Sequence, residues 1–217
     1  VGSAYRAGGF NGNLGDPRQP IDVPPSFDNE RVTAYEVGFK GNLSPNVYVT
    51  AAAYSNKYKN LVIQGDNGCR ANNPACPVQA TSFAFNAGPA TLWGVEVEAT
   101  ARAEVAGGNL RVTVGGSRQG GEVTSGIYDG RRQPQQPKWT QTFSVNYRRD
   151  IVEDVSGYVN VNGNARQGGV QEVNQTTLLH DYVLFNVRAG VTWKQYDLTG
   201  FVNNAGQENY LVFHAPS

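Results

Sequence analysis

Two glutamates, Glu96 and Glu98, stand two positions apart in "LWGVEVEATAR" and are the first candidates for catalytic chemistry. On a strand, side chains at this spacing share a face and lie about 6.6 to 7 Å apart. That separation overlaps the range for the paired carboxylates of glycoside hydrolases. Two carboxylates on one strand do not flank a sugar, however, and Glu36, Lys40 and Arg102 lie on the same predicted face, where the two cations offer ion partners. We therefore interpret both glutamates as structural charges.

The two histidines, His180 and His214, are the next candidates. A serine hydrolase would need a serine and an acidic or polar group held beside the histidine. Ser144 and Ser156 do not present such a set in the sequence. Two isolated histidines also do not complete a metal site. We expect no catalytic residue, no metal site and no cofactor.

The two cysteines, Cys69 and Cys76, lie close together in the segment "GCRANNPACP". Without a nearby histidine they cannot complete a tetrahedral zinc site. Their spacing favours a disulfide that closes a small loop, which requires an oxidising compartment such as a periplasm or cell surface.

Three arginines, Arg118, Arg131 and Arg132, accompany Tyr128 in the Gly-, Gln- and Pro-rich segment 117 to 137. Function concentrates in loops carried on a rigid scaffold, and arginine suits carboxylate or phosphate groups. We expect these four residues to be candidate ligand contacts, together with His180 near another long connection. An ordinary solvated loop is the alternative interpretation.

Composition limits the classes of protein that can position these residues. The chain has 217 residues, 26 of them glycine, and a formal net charge of zero. Zero net charge gives no indication of a nucleic-acid partner. The sequence has no apolar run long enough for a transmembrane helix, but this does not exclude a membrane barrel, whose strands give a weaker signal.

Alternating apolar and polar residues predict about nine strands and no helix. Segments 31 to 43, 86 to 102, 138 to 148 and 181 to 193 show the alternation most clearly. In each of them one parity is apolar and the other is rich in charged, amide or hydroxyl side chains. The charged parity carries Glu36, Lys40, Glu96, Glu98, Arg102 and Arg188.

The connections predict how these strands are arranged. Short turns alternate strictly along the chain with long polar connections at 11 to 30, 65 to 81, 119 to 137 and 167 to 180. In an antiparallel up-and-down meander this order places every long connection at one end. That asymmetry is typical of an outer-membrane barrel, whereas a soluble sandwich has short loops at both ends. The apolar parity is therefore predicted to face lipid and the charged parity a lumen.

Several segments also resemble a known family. They are "YRAGGFN" (5 to 11), "ERVTAYEVGFKGNL" (30 to 43), "VYVTAAAYSNKYKNLVIQ" (47 to 64), "NAGPATLWGVEVEATAR" (86 to 102) and "YDLTGFVNNAGQENYLV" (196 to 212). In order and spacing these segments resemble the carboxyl-terminal part of the β-barrel of TonB-dependent outer-membrane receptors.

The resemblance implies an all-β transmembrane barrel of about 22 strands with a plug domain in its lumen. Such receptors lie in the outer membrane of Gram-negative bacteria and import a scarce ligand, often a ferric siderophore, haem, cobalamin or a glycan, with energy delivered by the TonB complex. For this chain we expect a ferric siderophore. The expected partners are outer-membrane lipid, the plug and remaining strands, the TonB complex and the ligand. The lumen charges are expected to hold the plug.

Residues 1–217 are expected to form a partial barrel domain, because the sequence begins within the barrel and ends before the closing strand with its terminal aromatic. Two alternative functions stay open. One is a passive porin-like or adhesive barrel, which would have no plug and no TonB-contacting segment upstream. The other is a secreted β-sandwich binding module, which would be monomeric in buffer without detergent.

Overall fold

The computed structural model describes residues 1–12, 23–66, 82–172 and 177–210. These ranges contain no helix with the length and apolar character needed to cross a membrane. Their secondary structure consists of strands, which are β1 (Gly2–Arg6), β2 (Gly9–Phe10), β3 (Ser26–Phe27), β4 (Glu30–Ser44), β5 (Val47–Asp66), β6 (Ser82–Val105), β7 (Gly108–Val123), β8 (Trp139–Val152), β9 (Val155–Gln167), β10 (Tyr182–Trp193) and β11 (Tyr196–Val202).

Nine strands form one sheet in the order β1-β4-β5-β6-β7-β8-β9-β10-β11. Every pair of neighbours is antiparallel, and from β4 onward strands that follow each other in the chain lie side by side in the sheet. β2 and β3 pair separately, within the connection between β1 and β4. The predicted antiparallel meander of about nine strands is confirmed.

One end of the sheet, which we call the turn end, carries only tight turns. Two residues separate β4 from β5, β6 from β7, β8 from β9 and β10 from β11. At the second of these turns Ala106 and Gly107 have positive φ angles of 48° and 74°. Positive φ at both central residues is the type I′ geometry, whose twist matches that of the flanking strands.

The opposite end, which we call the loop end, carries the long connections. The connections from β1 to β4, β5 to β6, β7 to β8 and β9 to β10 all leave the sheet there. β5 and β6 have 20 and 24 residues, whereas a strand needs only about 9–11 residues to cross a bilayer. The sheet therefore extends well beyond membrane thickness at the loop end.

Strand register gives the sheet two chemically different faces. Val95 pairs with Ala53 and Arg118, and Glu96, one residue on, pairs with Ala52 and Ser117. Residues that are paired across neighbouring strands project their side chains to the same face of the sheet, so the pairing assigns each residue to one face. We call the side that carries Val95 the apolar face and the side that carries Glu96 the polar face.

The apolar face has no covering layer in the described part of the chain. Val37 is 73% exposed, Val97 47% and Val183 55%. A soluble monomer rarely leaves an apolar surface of this extent uncovered. An exposed apolar face of this kind is typical of a surface that contacts lipid or another protein layer.

The buried side chains are concentrated at the loop end instead. Leu61, Ile63, Ala87, Ala90 and Val123 form one cluster in which every member is at most 6% exposed. The cluster joins the extensions of β5 and β6 to the end of β7. This packing makes the loop end a small folded layer of its own.

Three predicted boundaries differ from the structure. β7 continues to Val123, so Arg118 is a strand residue and the following connection begins later than predicted. β6 begins at Ser82, before the predicted start. The segment Ser3 to Phe10, whose less regular alternation also predicts a strand, is divided between β1 and β2. Gln119, Gly120, Gly121 and Glu122 hide the extension of β7, because they interrupt the apolar alternation.

Candidate functional site

All six charged residues predicted on one parity lie on the polar face and are exposed. They are Glu36, Lys40, Glu96, Glu98, Arg102 and Arg188. Lys40 and Glu98 lie in the same row, since both pair with Thr50 of β5. Two strand spacings separate them, about 9.6 Å between backbones. The structure thus aligns these charges along one open wall.

Glu96 and Glu98 line a cavity of about 380 Å³ on this wall, together with Thr142 and the hydroxyl pair Ser117 and Thr140. The two hydroxyl oxygens are 2.6 Å apart. Within the described ranges no group of three or more His, Cys, Asp or Glu side chains could hold a metal ion. The arrangement suits binding of cationic groups by the carboxylates.

Three arginines cluster on the polar face near the turn end. Arg102 pairs directly with Arg111 across β6 and β7. These two arginines and Arg148 line a cavity of about 840 Å³. Like charges directly opposite each other destabilise a sheet. Of these three, only Arg102 is predicted from the sequence as a charge of this face. The cluster needs an anionic counterpart, and Glu104 lines the same cavity.

Amide side chains connect β8, β9 and β10 across the polar face. Asn160 donates to Asn146 Oδ1, Asn162 Nδ2 donates to Asn160 Oδ1 at 2.8 Å, and Asn186 Nδ2 donates to Asn162 Oδ1 at 3.2 Å. Each amide side chain both donates and accepts, so these asparagines pair their hydrogen-bonding groups with one another and need no charged partner. In the sequence, asparagine at every second position of "NVNGNAR" (160 to 166) indicates this row of amide side chains.

At the loop end, Tyr128 covers the buried cluster. Its ring centroid lies 5.2 Å from that of Phe85, and it packs together with Tyr58 against Val123 and its neighbours. Burial raises the pKa of the Tyr128 hydroxyl above its ordinary value, because the charged phenolate would lose water. Tyr58 and Val123 share the polar face, so this cap lies on that side of the sheet.

Backbone hydrogen bonds hold the connection after β7 in place. Thr124 N donates to Pro89 O at 2.8 Å, and Val123 N donates to Arg131 O at 2.8 Å. Arg131 N in turn donates to Tyr128 O at 2.9 Å. The aromatic cap is therefore anchored to β6 by main-chain contacts as well as by packing.

The connection between β1 and β4 is anchored to the same extension of β6. Asn11 Nδ2 donates to the carbonyl oxygens of Pro24 and Ala84, both at 2.8 Å, and Asn11 Oδ1 accepts from Ala84 N at 2.9 Å. Asn86 Oδ1 accepts from Asp28 N at 2.7 Å. Sequence reasoning missed Asn11, because no periodic pattern distinguishes it from other loop asparagines.

A second aromatic group lies beside β9 and β10. The Tyr182 and Tyr210 ring centroids are 4.9 Å apart, and the Arg166 guanidinium lies 4.7 Å from the Tyr182 ring centroid. Arg166 Nη2 donates to the carbonyl oxygen of His180 at 3.1 Å. His180 itself is exposed. Aromatic rings and a guanidinium together suit a planar or anionic ligand.

The five predicted ligand contacts therefore lie in three places. Tyr128 and Arg131 belong to the cap on the polar face, and His180 adjoins the second aromatic group. Arg118 and Arg132 instead line one cavity with Trp93 and Trp139, and the register places Arg118 on the apolar face, opposite Val95.

The predicted disulfide partners, Cys69 and Cys76, lie outside the described residues. Their pairing stays a prediction.

Comparison with known proteins identifies the architecture. The family described as "TonB dependent receptor-like, beta-barrel" matches residues 1–205. The crystal structure of the ferric yersiniabactin uptake receptor FyuA from Yersinia pestis is similar, with a TM-score of 0.71 and 20% sequence identity. The similarity covers 99% of this chain and 30% of that receptor. No curated protein matches the sequence. By the family match, this chain belongs to the TonB-dependent receptors and forms part of their β-barrel.

Proposed function

We propose that the full protein containing this chain imports a ferric siderophore across the outer membrane of a Gram-negative bacterium, using energy from the TonB complex. The ligand binds at the loop end, which faces the exterior. This chain supplies part of the barrel wall, lumen charges and binding loops. It performs no bond chemistry.

The two-faced sheet is the observation that carries this proposal. Its uncovered apolar face suits lipid, and its polar face presents exposed charges of both signs toward the lumen. All four long connections leave from one end, as expected of loops that meet ligand outside the cell. The plug supplies the counterpart of the lumen charges, including the anionic groups that the Arg102, Arg111 and Arg148 cluster requires.

The loop end supports an aromatic or anionic ligand. Tyr128 and Phe85 are in ring contact and, like Tyr58, lie partly buried against the cluster at the loop end. Tyr182 with Arg166 forms a second aromatic group. Many ferric siderophores combine aromatic oxygen ligands with negative charge, which such surfaces recognise through stacking and guanidinium contacts. The similar receptor from Yersinia pestis is named for uptake of ferric yersiniabactin, which agrees with this ligand class.

Uptake by cells tests the proposal. Cells lacking the gene, and the same cells complemented with it, are supplied with iron-labelled siderophores, haem, cobalamin and labelled oligosaccharides. We expect complemented cells to accumulate a ferric siderophore only when TonB is present. Accumulation that persists without TonB would instead indicate a passive barrel, and uptake of another ligand class would contradict the siderophore assignment.

A matched pair of variants locates the ligand. Tyr128→Ala removes a ring of the cap, and we expect siderophore binding to weaken about tenfold, the effect of losing one aromatic contact of about 1–1.5 kcal/mol. Tyr196→Ala removes the same side chain from the apolar face at the turn end and leaves binding unchanged. Equal binding by both variants would contradict the location.

A further inference from the structure

A cavity of about 420 Å³ opens on the apolar face at the loop end and is unusual for a lipid-facing surface. Arg118, Arg132 and Lys138 line it together with Trp93 and Trp139. Glu122 is the one acidic residue in its lining, so the cavity carries a net charge of two positive units. Cations on the outer surface of a barrel destabilise it unless they lie near the interface or find an anionic partner.

The two tryptophans fix the position of Arg118. Its guanidinium carbon lies 5.0 Å from the Trp139 ring centroid and 5.8 Å from that of Trp93. Both rings are partly exposed, at 42% and 40%. Cation–π contact with two rings restricts the position of the guanidinium.

The depth of this cavity follows from the length of β8. Trp139 and Tyr147 both lie on the apolar face and are eight residues apart. That is about 27 Å of strand, or about 21 Å along the membrane normal at a tilt of about 40°. The apolar band of an outer-membrane barrel is about 25 Å tall between aromatic girdles. Trp139 therefore marks the boundary at the loop end, where phosphate groups of the outer leaflet lie.

We propose that Arg118, Arg132 and Lys138, framed by Trp93 and Trp139, bind a phosphate of a phosphorylated glycolipid in the outer leaflet. Three cations at interfacial depth match a phosphate in charge, and arginine donates to phosphate oxygens in pairs. The sugar rings of such a headgroup pack against the indole rings. This site is separate from the lumen and rests on the proposed function only for the orientation of the barrel in the outer membrane.

Binding of lipid A, the phosphorylated glycolipid, by the purified full-length receptor tests the proposal. The receptor is reconstituted in phosphatidylcholine vesicles that contain lipid A, dephosphorylated lipid A or phosphatidylglycerol, and retained lipid is measured by native mass spectrometry. We expect retention of lipid A alone. Equal retention of the dephosphorylated form would overturn the phosphate contact, and equal retention of phosphatidylglycerol would overturn the glycolipid.

Charge-neutralising variants locate the contact. R118Q, R132Q and K138Q should each weaken lipid A retention about fivefold, the effect of one cation near a charged membrane surface. R149Q, which removes an exposed arginine of the apolar face near the turn end, should leave it unchanged. Unchanged retention in the combined R118Q/R132Q/K138Q variant would overturn the proposal.

Folding and location are checked separately for each variant. A heat-modifiable shift in gel migration reports the folded barrel, and fractionation reports its presence in the outer membrane. Variants that fold, import siderophore normally and lose lipid A retention support the glycolipid site. Absence of the unsubstituted protein from the outer membrane would refute the proposed function instead.

Discussion

Asn11 is predicted to hold the first long connection on the barrel extension, and replacing it with alanine should release that connection. The side chain is only 8% exposed and makes three hydrogen bonds of 2.8–2.9 Å, two of them to Ala84 of β6. Alanine cannot replace any of them, and part-buried backbone groups lose their partners.

The expected loss is about 2–3 kcal/mol, at about 1 kcal/mol for each hydrogen bond with some replacement by water. This free energy corresponds to a roughly 30- to 150-fold larger population of the open state. The effect is local, because the nine-stranded sheet does not depend on Asn11 for its pairing. Barrel folding should therefore be unchanged.

Hydrogen exchange followed by mass spectrometry measures this opening. In Asn11→Ala, peptides that contain Ala84 and residues 23–29 should exchange faster by that factor. Asn164→Ala is the matched control, since Asn164 is exposed on the polar face of β9. Unchanged exchange at Ala84 in Asn11→Ala would refute the anchoring role.

Three further predictions concern backbone strain, ionisation and lumen charge. Gly121→Ala should destabilise the folded barrel by about 1–3 kcal/mol in urea titrations, because φ is +126° and a Cβ would lie 2.1 Å from Thr91 O. Burial raises the pKa of Tyr128 above the ordinary tyrosine value of 10.0, so the docked cap favours the neutral side chain. Docking of the cap should therefore weaken as pH rises above 10.0. Limited proteolysis of the connection after β7 measures this weakening. Glu96→Lys should loosen the plug and raise the conductance of the full protein in planar bilayers.

Each of these predictions has a control. Gly116→Ala, also in β7, should be tolerated, because its Cβ would lie 3.6 Å from the nearest atom. Tyr128→Phe keeps the ring without the ionisable group, so its docking should not respond to pH in this range. Glu153→Lys changes an exposed turn residue and should leave conductance unchanged. Matching results in variant and control would contradict the corresponding prediction.

The alternation in the sequence predicted the two faces well, because side chains on strands alternate with a period of two. Glu96 and Val97 fall on the predicted faces for this reason. The sequence also predicted the order of turns and loops, since Gly- and Pro-rich segments mark them. Both features are local, so a single sequence contains them.

The features that were missed depend on contacts between distant segments. β7 continues through Gly120 because the Trp93 ring covers that glycine; a Cβ there would lie 3.0 Å from the ring. Aromatic cover of glycine stabilises a strand that propensity alone would end. The register shift near Asn60, whose φ is 59°, likewise comes from β5–β6 pairing. The sequence predicts Arg118 as a loop contact, because its partners on β6 and β8 are not visible in the local sequence.

Solvent accessibility along β6 tests the central claim, that the sheet is a membrane wall with lipid on one face and the lumen on the other. Spin labels are attached to single cysteines introduced at Val95, Glu96, Val97 and Glu98 of the full protein in bilayers, with the native cysteines replaced by serine. Labels at the two valines should collide with oxygen dissolved in lipid, and labels at the two glutamates with a water-soluble nickel chelate. Equal access of the chelate to all four positions would contradict the account.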